Sequence, residues 1–469
     1  MITKRTKIVA TIGPASSSPK VIEALIRAGL NVARLNFSHG TYAERKEQIK
    51  TIRVIARKLN KSVAIMADLQ GPKLRLGFLK GDRKIKKGES ISLSINPLPD
   101  EIPMQFDLSP YVKKGERIFL NDGLVELKVK GVNKNTILTH AQNEGIISSN
   151  KGVNIPDTKI ENHSFTQKDK KDLEFVLKEG VDFVALSFVR TADDLKAAKI
   201  IIEKSKKSVQ IIAKIEKKEA VLNLEEIIKE TDAVMVARGD LGIEIRGSQV
   251  PLVQQKIVNL ARQFQKPVIV ATQMLESMIH NPRPTRAEAS DVAHAVLNEV
   301  DAVILSAETA AGAYPVEAVK MMNEIILSVE EHQQFKHFIQ IDWRNIPPKQ
   351  KPISAIVSSA ANIAYRIGAK TVVIATTAGH SAKILASFRP EAKIIAIVHN
   401  DQVRNQLQMV WGVESFKIKG AKNYNIFWKE VISAIKKNKV AEKDDKVVIV
   451  SGSLIGVSGT TDTIKIVTI

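Results

Sequence analysis

The feature that most narrows the possible folds is a regular alternation along the chain. Short β-branched runs each precede a segment with helical hydrophobic spacing, the pattern of βα units whose parallel strands need a crossover. Candidate strands fall at residues 7–12, 31–35, 63–67, 182–188, 209–215, 232–237, 267–272 and 301–306, with helical segments such as 19–28 and 316–329 between them. Eight such units fit an α/β architecture closed as a (β/α)8 TIM barrel better than an open doubly wound sheet, the structural alternative.

Between the third and fourth runs the alternation stops. Residues 71–163 carry short strand-like stretches with Gly and Pro, and RIFLNDGLVE at 117–126 reads as a hairpin around Asn121, Asp122 and Gly123. A small β-barrel domain inserted into the larger barrel is the expectation. After the eighth helix, residues 345–351 (NIPPKQK) look like a linker. Helical spacing resumes at Ile353, Val357, Ala360 and Ala364, and buried-strand runs follow at 370–376, 393–398 and 446–450. The expected domains are therefore 1–70 with 164–344 as a discontinuous barrel, 71–163 as the insert, and 345–469 as a C-terminal α/β domain.

Composition excludes several classes. The 469 residues contain no cysteine, so thiolate nucleophiles, zinc–thiolate sites and disulfides are all ruled out. The N-terminus has no apolar stretch of signal-peptide length and no eighteen apolar residues run together, so a cytoplasmic chain without membrane contact is expected. The net charge of +20 would suit an anionic partner. Basic runs such as 168–172 and 203–207 are interleaved with acids, however, which suits a solvated helix face better than a nucleic-acid track.

In a barrel of this kind the C-terminal strand ends converge on one mouth. Here those ends carry Arg34, Asn36, Ser38 and His39 after strand two, Asp68 after strand three, Lys214 and Glu216 on strand five, Arg238, Gly239 and Asp240 after strand six, and Thr272 after strand seven. Cations, carboxylates and hydroxyls following five separate apolar runs point to a single site. Glu216 and Asp240 have the oxygen donors a magnesium ion prefers, and they would equally serve as ion-pair partners of Lys214 and Arg238. Gly239 would let a substrate oxygen approach the backbone.

The stretches NVARLNFSHG (31–40), AKIE (213–216), ARGDLGIE (237–244), ATQMLESM (271–278) and SAETA (306–310) occur in this order. With them the chain resembles the pyruvate kinase family over essentially its whole length. The resemblance implies magnesium-dependent phosphoryl transfer from phosphoenolpyruvate to ADP, giving pyruvate and ATP, with manganese able to substitute. It implies Lys214, Arg34 and Thr272 as catalytic residues, with Gly239 and Asp240 also binding substrate and Glu216 and Asp240 holding the metal. Asn36, Ser38, His39, Arg75 and Lys168 match the nucleotide side, and the inserted domain matches a lid. A lysine at a barrel strand end also suits a Schiff-base enzyme, a rival reading that the two carboxylates oppose.

One segment departs from the commonest family pattern. Where many members read Asp-Thr-Lys-Gly-Pro-Glu and require potassium, this chain has Asp68-Leu69-Gln70-Gly71-Pro72-Lys73, followed by Leu76. The ammonium of Lys73 is expected to replace the potassium ion in a pocket formed with Asn36, Ser38, Asp68 and Leu69, so potassium is expected to be dispensable. In the C-terminal domain Thr376, Thr377, Ala378, Gly379, His380 and Ser381 match the loop that binds a phosphorylated effector in the family, with residues 451–461 facing it. The family further implies a homotetramer. The chain's end after its last strand implies that the extra phosphotransfer-like domain of some bacterial members is absent.

Overall fold

The computed structural model describes residues 4–159, 165–332, 342–419, 424–453 and 459–469. Eight parallel strands close on themselves: β1 (Lys7–Thr11), β2 (Val32–Asn36), β3 (Ala64–Asp68), β4 (Phe183–Leu186), β5 (Gln210–Ile215), β6 (Ala233–Ala237), β7 (Val268–Ala271) and β8 (Ala302–Leu305). Closure is made by β1, which pairs with β2 through Val9 and Val32 and with β8 through Lys7 and Ala302. The open-sheet alternative is thereby excluded. Helices between the strands start cleanly: Thr41, Thr166 and Thr285 each cap one, with Glu44, Asp169 and Glu288 closing reciprocal capping boxes.

Alternation of side chains along the strands splits the core in two. Ile8, Leu35, Ile65, Val184, Ile211 and Ile215 face outward against the helices, while Val9, Val32, Met66, Ala185, Ile212 and Met235 fill the barrel interior. Because the period is two, the next inward-facing position after Val9 is Thr11. After Val32 it is Arg34, after Met66 Asp68, after Ala185 Ser187, and after Ile212 Lys214 and then Glu216. Apolar layers therefore give way to a polar layer at the upper rim by continuation of the same faces.

The inserted segment folds as a six-stranded, mostly antiparallel sheet and a separate two-stranded one, Arg83–Ile85 with Gly145–Ile147, around a core that includes Leu93, Ile118, Leu127 and Val153. Its hairpin joins Arg117–Leu120 to Val125–Asn133. The turn has positive φ at Asn121, Asp122 and Gly123, and the space beside Gly123 ends at Ile243 Cγ1, 3.1 Å from where a Cβ would sit. The hairpin tip thus rests on the helix Arg238–Glu244. The expected return boundary at 163/164 lies outside the described residues.

The C-terminal sheet has strands β9 (Thr371–Ala375), β10 (Lys393–Val398), β11 (Val413–Lys417), β12 (Lys446–Gly452) and β13 (Thr461–Thr468), in the order β11-β10-β9-β12-β13 with only β13 antiparallel. The expected linker forms a turn at Pro348–Gln350 and leads into the helix Lys351–Arg366. This unit docks under the barrel. Met409 joins the interior core, Lys7 Nζ donates to Val413 O at 2.8 Å, and Trp411 N donates to Asp301 Oδ1 at 3.1 Å.

Candidate active site

The polar layer at the rim is a connected network. Arg34 donates through Nε to Asp68 Oδ2 at 2.7 Å, and a second guanidinium nitrogen lies 2.7 Å from the same oxygen. Its remaining arm donates to Thr11 Oγ1 at 2.8 Å. Lys214 Nζ lies 2.8 Å from Glu216 Oε1, 2.8 Å from Ser187 Oγ and 3.2 Å from Asp68 Oδ1. Glu216 Oε2 accepts from Phe188 N at 2.7 Å. Asp68, Glu216, Ser187 and Lys214 are all buried.

Charge states follow from this packing. Burial opposes the ammonium of Lys214, but Asp68 and Glu216 outweigh it and hold its pKa above the ordinary value. Burial works in the opposite sense on the Asp68 carboxyl, and there Lys214 and Arg34 prevail and hold it below the usual range. Glu216 is raised, first by burial and then by the like charge of Asp240, with Lys214 opposing. Glu216 with Asp240 nearby offers carboxylate oxygens of the kind a divalent cation takes, with substrate oxygens and water left to complete the shell.

Asp240 lies in the first turn of the helix Arg238–Glu244, and Gly239 N donates to Thr272 Oγ1 at 2.8 Å. This amide is therefore engaged by Thr272 rather than free for a substrate carboxylate. Thr272 has φ +71° and Gln273 φ +53°, a reversed backbone at the end of β7 that turns the Thr272 hydroxyl toward Gly239. The Arg238 guanidinium is taken up by Asp291 at 2.7 Å and donates through Nε to Ala271 O at 3.3 Å. Beside Gly239 a cavity of about 630 Å³ runs to the hairpin tip, lined by Arg117, Asp122, Arg238 and Gln273 among others.

On the other side of the mouth, Ser38 N donates to Asn36 Oδ1 at 3.0 Å, and Arg45 donates to Asn36 O and His39 O at 2.7 Å each. Lys168 Nζ reaches Phe37 O at 2.7 Å and Asp172 at 2.6 Å. His39 is held below its ordinary pKa, first by burial and then by Arg75, Arg45, Lys73 and Lys168, so four cations gather around one loop. The structure does not bring Lys73 onto Asp68. The two oxygens of Asp68 are engaged by Arg34 and Lys214, while Lys73 pairs with Asp122 at 3.5 Å. Leu69 is buried beneath them.

Sequence matches decide the family. The family model described as "Pyruvate kinase, barrel domain" matches residues 3–319, and "Pyruvate kinase, alpha/beta domain" matches residues 354–467. The chain belongs to the pyruvate kinase family. It is 42% identical to a pyruvate kinase of Sporosarcina psychrophila and 40% identical to pyruvate kinases of Staphylococcus aureus strain MRSA252 and Staphylococcus saprophyticus. Each match covers 99% of this chain and 80% of the relative. As a pyruvate kinase it is a phosphotransferase acting between phosphoenolpyruvate and ADP, with a divalent metal consistent with the family. Among the described residues no helix is long and apolar enough to cross a membrane.

Sequence reasoning passed over Thr11, Ser187, Phe188 and Arg45. Thr11 and Ser187 obey the strand-end rule that found Lys214, and an inward-facing count would have found both. Phe188, with φ +57°, and Arg45, which braces a loop from within a helix, carry no such signal.

In the C-terminal unit Gly379 N donates to Thr376 Oγ1 at 3.0 Å, and Gly379 has φ +79° with Leu407 and Val403 crowding the position of a Cβ. Ser381 is buried in the helix His380–Ser387, Thr377 is partly exposed and Ala378 is exposed. Burial, then Lys383 and Lys266, hold His380 below its ordinary pKa. Of the loop expected to face this one, 451–461, residues 454–458 lie outside the described residues.

Proposed function

We propose that the rim carries out magnesium-dependent transfer of a phosphoryl group from phosphoenolpyruvate to ADP. The observation that carries this reading is the buried Lys214 ammonium, kept charged between Asp68 and Glu216 with Arg34 beside it. A fixed cation at the barrel mouth offsets the charge spread over the equatorial oxygens of a phosphoryl group in flight. Glu216 and Asp240 would hold the metal, magnesium or manganese, which when bound supplies a Lewis acid for substrate oxygens. Arg34 binds the phosphate, Gly239 and Asp240 border the carboxylate, and Thr272 delivers a proton to the enolate carbon. The raised pKa of Lys214 opposes the Schiff-base alternative, which needs a neutral amine.

Asn36, Ser38, His39, Arg75 and Lys168 form the nucleotide side. The insert acts as a lid that excludes water as a competing acceptor. Lys73 replaces potassium, moving from Asp122 toward Asp68 when substrate binds. A phosphorylated small molecule binds at Thr376, Thr377, Ala378, Gly379, His380 and Ser381 and regulates a cytoplasmic homotetramer. Pyruvate formation from phosphoenolpyruvate, ADP and magnesium, coupled to NADH oxidation by lactate dehydrogenase, tests the core of this. Lys214→Met is expected to abolish turnover while leaving phosphoenolpyruvate affinity nearly intact, and retained turnover would sink the reading.

A further inference from the structure

Ser187 stands next after the inward-facing Ala185 at the end of β4, and it is 4% exposed. Its hydroxyl donates to Leu69 O at 2.7 Å, while Asp68 Oδ1 is 3.5 Å away. A hydroxyl has one proton to give. With that proton on Leu69, the oxygen faces Lys214 as an acceptor, at 2.8 Å from Nζ.

The ammonium of Lys214 has three N–H groups, and its three partners are Asp68, Glu216 and Ser187. Two of these are carboxylates with other cationic claims: Asp68 is already bound by Arg34, and Glu216 is half of the pair assigned to the metal. As those carboxylates engage other cations, their hold on Lys214 weakens. The Ser187 oxygen is neutral and its orientation is fixed by Leu69, so its bond persists through that exchange. The adjacent amide, Phe188 N, meanwhile fixes the far oxygen of Glu216.

From this geometry we propose that Ser187 is a positioning residue for phosphoryl transfer: it anchors one N–H of Lys214 and so aims the other two at the migrating group. The inference rests on the role given above to Lys214, and it concerns the transition state rather than substrate affinity. Loss of one hydrogen bond to a charged group corresponds to about a tenfold to hundredfold fall in kcat.

The test is steady-state kinetics of Ser187→Ala, Ser187→Cys and Ser187→Thr, each also melted to establish folding. Ser187→Ala is expected to lower kcat by that factor, with KM for phosphoenolpyruvate within about twofold. Ser187→Cys, similar in size but a poor acceptor, is expected to behave the same way and stands in if the alanine variant does not fold. Ser187→Thr, which keeps the hydroxyl, is expected to recover most of the rate. A kcat within twofold of the parent in the folded alanine or cysteine variant, or a change confined to KM, overturns the proposal. Lys214→Met measured alongside separates the two failures. If Lys214→Met is inactive while Ser187→Ala is not impaired, only the Ser187 assignment falls; if Lys214→Met turns over normally, the reading of the site falls first.

Discussion

Lys383 Nζ donates to Gln210 Oε1 at 2.8 Å, so the helix that follows the loop at Thr376 is bonded to the lower end of β5, the strand whose upper end carries Lys214. Lys7 lies in the same interface with its ammonium on Val413 O. This floor of the barrel holds two lysines that are poorly solvated.

A pH dependence of stability follows. Burial pushes Lys383 down to about 8, with Lys266 adding to the effect and Asp232 and Asp301 opposing it. Burial likewise pushes Lys7 to about 8 against Glu414, Glu330 and Asp301. In the unfolded chain both return to about 10.4. Between these values the unfolded chain binds more protons, so stability rises as pH increases from about 8 to about 10. Denaturant midpoints at pH 7.5 and 9.5 measure this, and Lys383→Met is expected to reduce the rise. An unchanged rise in that variant would refute the assignment to Lys383.

Arg34 and Asp68 form the second testable pair. Removing the guanidinium leaves Asp68, 2% exposed, facing Lys214 as the one close cation among the described residues. Arg34→Ala is expected to abolish useful turnover and to cost about 2 kcal/mol of stability through the lost charged hydrogen bonds. Adding Asp68→Asn is expected to recover part of that stability and none of the activity. Equal melting temperatures for parent and Arg34→Ala would show that the pair does not support the fold.

Much of this site was legible because barrel geometry converts a one-dimensional pattern into a place. An apolar run of known length ends at a rim residue, and Arg34, Asp68 and Lys214 are legible from that rule alone; Thr11 and Ser187 need the further count in steps of two. The strands β11 (VESFK) and β13 (TDTIKIVT) escaped because polar residues interrupt each, and half of β13 is exposed, so neither reads as a buried run. The position of Lys73 escaped for another reason. Its charge pattern says which ion it can replace, but a long side chain near a hinge chooses among anions by tertiary distance, and here it takes Asp122.

Thr272 offers a test of proton delivery. Its hydroxyl accepts from Gly239 N and donates to Ala271 O at 2.6 Å. Thr272→Val keeps the shape and the reversed backbone but removes both bonds. It is expected to lower kcat by about 10²- to 10⁴-fold, the usual contribution of a positioned acid, and to cost about 1 kcal/mol of stability. Thr272→Ser keeps the hydroxyl and is expected to retain kcat within an order of magnitude. A slow serine variant with a normal melting temperature would mean that the methyl group, not the hydroxyl, matters.

Lys73 poses the sharpest question, since its charge is assigned to Asp68 during turnover yet rests on Asp122 in the structure. Asp122 belongs to the hairpin tip and is more than half exposed, so its bond to Lys73 is weak and easily exchanged. If the lysine moves to the rim when substrate arrives, two variants must differ. Lys73→Gln removes the only charge assigned to the potassium position, and turnover in tetramethylammonium buffer is expected to fall and to be restored by added potassium. Asp122→Asn removes only the resting partner, and turnover is expected to stay independent of potassium. Should Lys73→Gln remain as active without potassium as the parent, Lys73 is a lid residue only, and the monovalent charge at Asp68 comes from Arg34 and Lys214 alone.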